Sequence, residues 1–197
     1  MPNTTSATPA VGNIRTLALV GPAAAGKTTL AEALLQHTGA MGAAGSVERG
    51  STVSDHDALE IKAGHSLQSS VMHLDHGGCR IHLIDTPGAP DFIGQSLPAL
   101  EAVETAAIVI NAAAGIEPMA QRMMAYAAER GLDRLIIVNR IDAQDVDLSA
   151  VLATVTSGEY RNARLMGSFQ RYDERLVLAF NRAVLPTGET VQLEIGR

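Results

Sequence analysis

The eight-residue loop GPAAAGKT, at positions 21–28, limits the possible folds of this chain more than any other part of its sequence. The loop follows a short apolar run, residues 15–20, of the kind that forms a buried strand of a parallel sheet. It leads into residues 28–37, where leucines recur at helical spacing. A strand, a glycine loop and a helix in this order predict a phosphate-binding loop, and hence a site for a purine nucleoside triphosphate with magnesium.

Each part of the loop has a predicted role in holding phosphate. Gly21 and Gly26 let the backbone curve without a Cβ clash, so that successive amides point inward. Lys27 adds a positive charge near the outer phosphates, and Thr28 offers a hydroxyl to magnesium. The helix that follows presents its positive end. The residues predicted to contact nucleotide here are Gly21, Pro22, Ala23, Ala24, Ala25, Gly26, Lys27, Thr28 and Thr29. The alternative is a chance glycine-alanine turn.

A second motif, Asp85-Thr86-Pro87-Gly88, comes directly after a strand-like run. At the end of a buried strand, Asp85 is predicted to hold a magnesium-bound water. Gly88 is predicted to present its amide to a terminal phosphate. Taken alone the same residues would form an ordinary turn, because Asp and Pro-Gly are common turn residues.

A third motif, Asn139-Arg140-Ile141-Asp142, follows another predicted strand. Guanine offers two adjacent donors, its ring N–H and its amino group, and the carboxylate of Asp142 can accept both. Adenine lacks this pair of donors. Asn139 is predicted to brace the loop and reach the opposite edge of the ring, and Arg140 to lie along the base. A solvated turn at the strand end is the alternative interpretation.

The order of predicted elements defines the fold class. Strands and helices alternate up to about residue 142, which predicts an α/β fold with a doubly wound, mostly parallel sheet, as in P-loop NTPases. Residues 39–64 are polar and glycine-rich, and predict a functional, switch-like loop. A hairpin is expected around residues 75–78. Three antiparallel strands are expected at residues 163–169, 175–183 and 190–195. The predicted domains are a disordered tail (1–13), a GTP-binding domain (14–147) and a β-rich segment (148–197).

Composition excludes several classes of function. Apolar residues make up 46% and charged residues 18%, which excludes a disordered protein. A net charge of −6 and an aromatic content of 3% argue against direct binding to DNA. The lone Cys79 gives no sign of an oxidising compartment, and neither a signal peptide nor a membrane span is evident. We therefore expect a cytoplasmic protein.

The motifs GPAAAGKT, DTPG and NRID, in this order, resemble those of the translational GTPases, and the residues around them resemble the elongation factor G-like subgroup. The resemblance runs from about residue 15 to about residue 147. It implies a role in protein biosynthesis, with GTP or GDP and Mg²⁺ as ligands and the ribosome as a partner. It also places Ser66 where a Thr of that family's switch I motif ligates magnesium and senses the γ-phosphate.

This chain departs from the family at three places. The family usually has a His after DTPG that positions the attacking water, and here the residue is Ala89. Its guanine motif has Lys where this chain has Arg140. We find no counterpart of the small-residue loop that contacts the guanine oxygen. These departures imply slow or partner-dependent GTP hydrolysis, so no catalytic residue is assigned. The alternative is a switch or ribosome-binding relative that does not hydrolyse GTP.

Two further patterns have competing interpretations. Residues 163–169 and the segment RLVLAFNRAVLPTGETVQL resemble TrbI-type channel components of type IV secretion systems, which would make the chain a chimera with an envelope module. Chance similarity is the alternative. His73, His76 and His82 lie around the predicted hairpin, and we interpret them as an exposed polar hairpin and not as a metal site.

Overall fold

A computed structural model describes residues 9–55 and 57–143, together with the backbones of strands at Arg164–Tyr172, Arg175–Val184 and Thr190–Gln192. Residues 1–8 of the predicted tail (1–13) lie outside the described residues. Residues 144–163, which join residue 143 to the first of these strands, also lie outside them. The chain divides into two compact units. The first comprises Met1–Val109 with Pro118–Ile137, and the second comprises Ile110–Glu117 with Val138–Arg197.

The described elements follow the predicted alternation. In chain order they are β1 (Ile14–Val20), α1 (Lys27–His37), α2 (Ala58–Ala63), β2 (Ser70–His76), β3 (Cys79–Asp85), α3 (Ile93–Glu101), β4 (Thr105–Asn111), α4 (Pro118–Glu129), β5 (Asp133–Asn139), β6 (Arg164–Tyr172), β7 (Arg175–Val184) and β8 (Thr190–Gln192). Short 3₁₀ turns occupy Val11–Asn13 and Pro90–Phe92.

The main sheet has five strands in the order β2-β3-β1-β4-β5 and is mostly parallel. Strand β1 pairs in parallel with β3 on one side and with β4 on the other, while β2 is antiparallel to β3. The register places Leu19 opposite Asp85, so β1 and β3 end together at one edge of the sheet. Loops after parallel strands meet at such an edge. The predicted α/β class with a mostly parallel sheet is confirmed.

Strands β1, β3 and β4 are apolar because they contribute to the buried core. The last three residues of β1 and β3 and the central five of β4 are buried. Helix α1 packs on the sheet through Ala31 and Leu35, which are at most 4% exposed. The buried members of this cluster are Leu19, Ala25, Ala31, Leu35, Met72, Leu74, Leu83, Ala107 and Val109. Burial of this face fixes the ends of β1 and β3, which carry the loops of interest.

The hairpin between β2 and β3 forms as predicted. Gly77 and Gly78 both have positive φ, 58° and 80°, which is the conformation that a two-residue hairpin turn requires. His73 lies directly opposite His82, whereas His76 lies opposite Cys79. The strands β6, β7 and β8 form a separate antiparallel sheet, again as expected, although Ala163 and residues 193–195 of the predicted strands lie outside the described residues.

The segment that joins α1 to β2, residues 38–69, is more structured than its sequence indicates. We call it the connecting segment. It contains the helix α2, which begins at a capping box formed by Asp57 and Glu60 and ends at Gly64, a left-handed residue with φ 69°. Periodicity did not reveal this helix because it has only six residues.

Candidate nucleotide site

The loop between β1 and α1 has the curvature that a phosphate cradle needs. Gly21 has φ 138°, and a Cβ at this position would lie 2.3 Å from the backbone oxygen of Val109. Gly26 has φ 88° and directly precedes α1. Both positions therefore require glycine. Ala24 also has a left-handed φ, 60°, which an alanine adopts only at an energetic cost.

Lys27, the first residue of α1, lies inside this loop. It is 6% exposed, and its Nζ donates hydrogen bonds to the carbonyl oxygens of Gly21 (3.1 Å) and Pro22 (2.8 Å). Gly88 of the second motif lies against the same group, because a Cβ at Gly88 would be 2.4 Å from Nζ and 2.5 Å from the amide nitrogen of Ala23. The phosphate loop and the loop after β3 therefore meet at the Lys27 ammonium.

Three residues predicted to act at magnesium come together beside this lysine. The Thr28 hydroxyl donates a hydrogen bond to Asp85 Oδ2 at 2.7 Å. The Ser66 hydroxyl, from the connecting segment, is 3.3 Å from that of Thr28. These are hard oxygen donors, the type that Mg²⁺ prefers. Asp85 Oδ1 is buried without a hydrogen-bond partner among the described residues, so the donor set fits a divalent cation.

Burial has the largest effect on the pKa of the Asp85 carboxyl. Asp85 is 1% exposed, and loss of hydration raises its pKa to about 6. The Thr28 hydroxyl and the Lys27 ammonium act in the opposite direction. A cation close to Asp85 would replace the lost hydration and favour the ionised form.

Asp55 is a second buried carboxylate at this place, and the sequence interpretation missed it. It is 4% exposed, and its burial raises its pKa, while the nearby Ser66 hydroxyl acts in the opposite direction. The negative charge of Asp55 also contributes to the raised pKa of Asp85. Asp55 was missed because it lies in a polar stretch without periodicity, between residues that resemble loop positions.

Two buried glutamates hold the connecting segment in place. Glu32 on α1 is 1% exposed and accepts hydrogen bonds from the backbone amides of Gly45 and Val53, each at 2.6 Å. Glu60 on α2 is 4% exposed and accepts hydrogen bonds from the amides of Leu67 (3.0 Å) and Gln68 (3.1 Å). The backbone that carries Ser66 is thereby fixed near Thr28.

The loop after β3 is braced by hydroxyl groups. Thr86 donates to the carbonyl oxygen of Leu19 at 2.8 Å, which ties this loop to the end of β1. Ser96, on α3, donates to the carbonyl oxygen of Pro87, also at 2.8 Å. Ala89 follows in extended conformation and precedes the 3₁₀ turn. Its methyl group has no atom that could orient a water molecule.

The motif at residues 139–142 lies in the second unit, at the carboxyl end of β5. Asn139 accepts a hydrogen bond from the amide of Ala112 at 2.9 Å through its backbone oxygen. Arg140 has a left-handed φ of 55°, and it and Asp142 are exposed. An exposed carboxylate just after the end of β5 is available to a ligand, and the assignment of Asn139, Arg140 and Asp142 to guanine stays a prediction.

Within residues 9–55 and 57–143, no group of three or more His, Cys, Asp or Glu side chains could hold a metal ion. The rings of His73 and His82 face each other across the hairpin with centroids 6.2 Å apart. No helix in the described part of the chain is long and apolar enough to cross a bilayer.

Comparison with known proteins gives a consistent family match. The model of the elongation factor Tu GTP binding domain matches residues 12–177. An elongation factor G-like protein of Mycobacterium tuberculosis is 36% identical over 131 residues, which cover 66% of this chain and 18% of that protein. A peptide chain release factor 3 of Levilactobacillus brevis is 35% identical over 184 residues, covering 86% of this chain and 35% of the relative.

A solved structure extends the match. A crystal structure of a protein from Thermus thermophilus superposes with a TM-score of 0.73 and 32% identity, covering 93% of this chain and 28% of the other. The chain thus spans roughly a fifth to a third of the length of these relatives. The TrbI-type resemblance finds no support in the comparisons, and the GTP-binding family match itself continues to residue 177.

Proposed function

Because this chain belongs to the family of the elongation factor Tu GTP-binding domain, as a translational GTPase domain of the elongation factor G-like type, we propose that it binds GTP and GDP together with Mg²⁺. The observation that carries the proposal is the convergence of Lys27, Thr28, Ser66, Asp85 and Gly88 on one small region of the first unit. These residues come from three separate parts of the sequence.

The phosphate chain would be held by the loop at residues 21–28. Its backbone amides and the N-terminus of α1 favour negative charge, and Lys27 would exchange its two carbonyl partners for phosphate oxygens. A buried ammonium that donates to neutral carbonyls gains a much stronger, charge-assisted partner in phosphate. Gly88 would present its amide to the terminal phosphate from the opposite side.

Thr28 and Ser66 would ligate Mg²⁺ directly, and Asp85 would hold it through a bound water. The ion, when bound, neutralises charge on the phosphate oxygens. Thr28 would have to release its hydrogen bond to Asp85, which would leave the carboxylate free to accept from water. The buried position of Asp85 strengthens any such electrostatic contact.

Guanine would be selected by Asp142, with Asn139 and Arg140 beside it. A carboxylate that accepts two donors from one base discriminates strongly against a base that lacks them, because the polar group would otherwise lose its partner. We propose that hydrolysis is slow or depends on a partner, since Ala89 supplies no group to orient water. The ribosome is the partner that the relatives suggest, and the cytoplasm is the corresponding location.

Competition binding tests this proposal. A fluorescent GDP analogue should bind the wild-type protein and be displaced by GTP, but not by ATP at the same concentration. Lys27→Ala should abolish binding, whereas Lys62→Ala, at the only other lysine of the chain, should leave it unchanged because Lys62 is exposed on α2. Displacement by ATP as efficient as that by GTP would show that the role given to Asp142 is wrong.

A second candidate is a guanine-nucleotide switch that binds GTP without hydrolysing it. Ala89 is the observation that favours it. Phosphate release measured with and without ribosomes separates the two functions. Ribosome-stimulated release that disappears in Lys27→Ala would exclude the non-hydrolysing switch.

A further inference from the structure

Hydrolysis of GTP needs a group that holds a water molecule in line with the γ-phosphate, and position 89 does not provide one. An imidazole lies nearby. We propose that His65, in the connecting segment, holds and orients the attacking water in this protein. The inference rests on the proposed binding of GTP, and it identifies a catalytic residue at the same site.

His65 is placed at the phosphate end of the site by its neighbour. Ser66 is 8% exposed, and its hydroxyl is 3.3 Å from that of Thr28. On the other side, the helix α2 ends at Gly64. Glu60 then fixes the backbone that follows, through its hydrogen bonds from Leu67 and Gln68. His65 itself is exposed. Its ring is therefore accessible to water while its backbone is held beside the hydroxyls of Thr28 and Ser66.

The ring is oriented by two contacts. Its centroid is 6.1 Å from that of Phe92, with the planes tilted by 48°. Phe92 closes the 3₁₀ turn after Ala89, and its amide donates to the carbonyl oxygen of Ala89 at 3.0 Å. The His65 side chain therefore extends from the connecting segment toward the residues that follow DTPG. Asp55, buried beside Ser66, is close enough to His65 to interact electrostatically with it.

The hydrogen bond of the ring determines which nitrogen is available. Nδ1 is 3.2 Å from the backbone oxygen of Ser66. A carbonyl oxygen can only accept, so Nδ1 must carry the proton. In the neutral ring Nε2 then has a free lone pair, which can accept a hydrogen bond from water. This is the tautomer that orienting a nucleophilic water requires.

In the proposed step, GTP and water are the only reactants. The water oxygen forms a bond to the γ-phosphorus while Nε2 of His65 accepts a hydrogen bond from that water. The bond from the γ-phosphorus to the bridging oxygen breaks, and its electron pair leaves on GDP. The proton of the attacking water passes to the phosphate product. His65 ends the step as it began.

Single-turnover hydrolysis of GTP, measured with and without ribosomes, tests the role. His65→Ala should lower the rate by about 10²-fold, the usual contribution of a positioned side chain of this kind. The affinity for GTP should change less than threefold, which is about 0.6 kcal/mol. His65→Gln should lie between, because its amide oxygen can still accept from water. Ala89→His in the His65→Ala background should restore much of the rate.

The matched control is His73→Ala, since His73 is an exposed histidine of the same unit on β2. Its rate should equal that of the wild type. Binding provides a readout that does not depend on turnover. In NMR spectra the imidazole signals of His65, assigned by their loss in His65→Gln, should shift when a non-hydrolysable GTP analogue replaces GDP.

Three results would overturn the inference: an unchanged rate in His65→Ala, His65 signals that are identical with GDP and the GTP analogue, or a wild-type protein that binds GTP but releases no phosphate with ribosomes. In each case the proposed binding of GTP, GDP and Mg²⁺ would stand, although the third result would also favour the non-hydrolysing switch over partner-dependent hydrolysis. Failure of the wild type to bind the GDP analogue would instead reject the proposed function itself.

Discussion

The phosphate loop and the connecting segment both contribute hydroxyl groups to the candidate magnesium site, but they are held there by different means. In the loop, the backbone itself is fixed by glycines with unusual φ values, such as Gly21 and Gly26. In the connecting segment, residues 38–69, the backbone is held by hydrogen bonds to buried carboxylates. One of these carboxylates, Glu32, lies on α1, outside the segment. A local backbone constraint leaves a signature in the sequence, whereas a tertiary hydrogen bond does not.

This difference also bears on stability. The loop is bounded by β1 and α1, both of which pack into the core, so its shape depends on the whole first unit. The connecting segment is attached through a few buried hydrogen bonds and can open locally while the sheet stays folded. Substitutions at Gly21, Glu32 and Gly64 separate these two kinds of constraint, and Asp85→Asn tests the buried carboxylate at the end of β3.

The largest effect is expected from Gly21→Ala. The new Cβ would meet the Val109 oxygen at 2.3 Å, at a φ of 138° that alanine avoids. We expect a loss of more than about 3 kcal/mol in the free energy of unfolding, measured by urea denaturation. Ala24→Gly is the matched control in the same loop, and it should stabilise the protein by up to about 1 kcal/mol because it relieves a left-handed alanine. Equal effects of the two variants would refute a local backbone constraint.

The next effect concerns Asp85 and depends on pH. Its folded-state pKa of about 6 lies above the ordinary value of 3.8, so between these values the folded protein holds a proton that the unfolded chain releases. The contribution of Asp85 to stability is therefore present at low pH and is lost as pH rises from about 4 to about 6. This amounts to about 3 kcal/mol.

Urea unfolding of the wild type and Asp85→Asn, in the presence of a chelator, checks this expectation. The stability of Asp85→Asn relative to the wild type should increase across that pH range. A constant difference between the two proteins would contradict the raised pKa.

Glu32→Gln should have a smaller effect, concentrated in the connecting segment. The glutamine amide keeps one acceptor, so one of the two amides, of Gly45 or Val53, loses its partner at a cost of about 2 kcal/mol. Trypsin should then cut after Arg49, within the loop that Glu32 holds, faster than in the wild type. Glu48→Gln, an exposed glutamate of the same loop, is the control. Unchanged cleavage in Glu32→Gln would mean that Glu32 does not hold this segment.

The smallest effect is expected at Gly64, where α2 ends. A Cβ there meets no atom within 4 Å, so Gly64→Ala is opposed only by its φ of 69°, at about 1 kcal/mol. Gly94→Ala, inside α3 and equally open, should instead stabilise by up to about 1 kcal/mol. Thermal unfolding of both variants measures the contrast. Destabilisation by both would show that the open space around these glycines is not as described.

Much of the fold could be predicted because its central strands are apolar where they are buried, at the ends of β1 and β3 and along most of β4. The run that became β4 and the leucines of α1 carry enough periodicity to be recognised, and the glycines of the hairpin between β2 and β3 mark its turn. Helix α2 was not predicted because its short amphipathic pattern is dominated by the capping residues Asp57 and Glu60. The TrbI-type resemblance of the C-terminal segment found no support in the comparisons, because it rested on a local pattern that carries no motif.

In the candidate site too, residues next to a strand or a glycine could be predicted, whereas residues placed by tertiary contacts could not. Lys27, Thr28, Asp85 and Gly88 could be named because each stands at a fixed position next to a strand or a glycine. Glu32 was not predicted, since a glutamate on a helix usually faces solvent and only the tertiary structure places it under the connecting segment. Its burial depends on residues 13 and 21 positions further along the chain.

The order of strand, loop and helix, the glycines of the phosphate loop and the residues at the strand ends follow from the amino-acid sequence, because they depend on local conformation and on the period of burial. The contact of Ser66 with Thr28, the burial of Asp55 beside them and the position of His65 against the segment after Ala89 arise from the packing of the folded chain. These contacts join residues distant in the chain. They depend on parallel strands ending at a common edge and on buried carboxylates that hold the connecting segment against it.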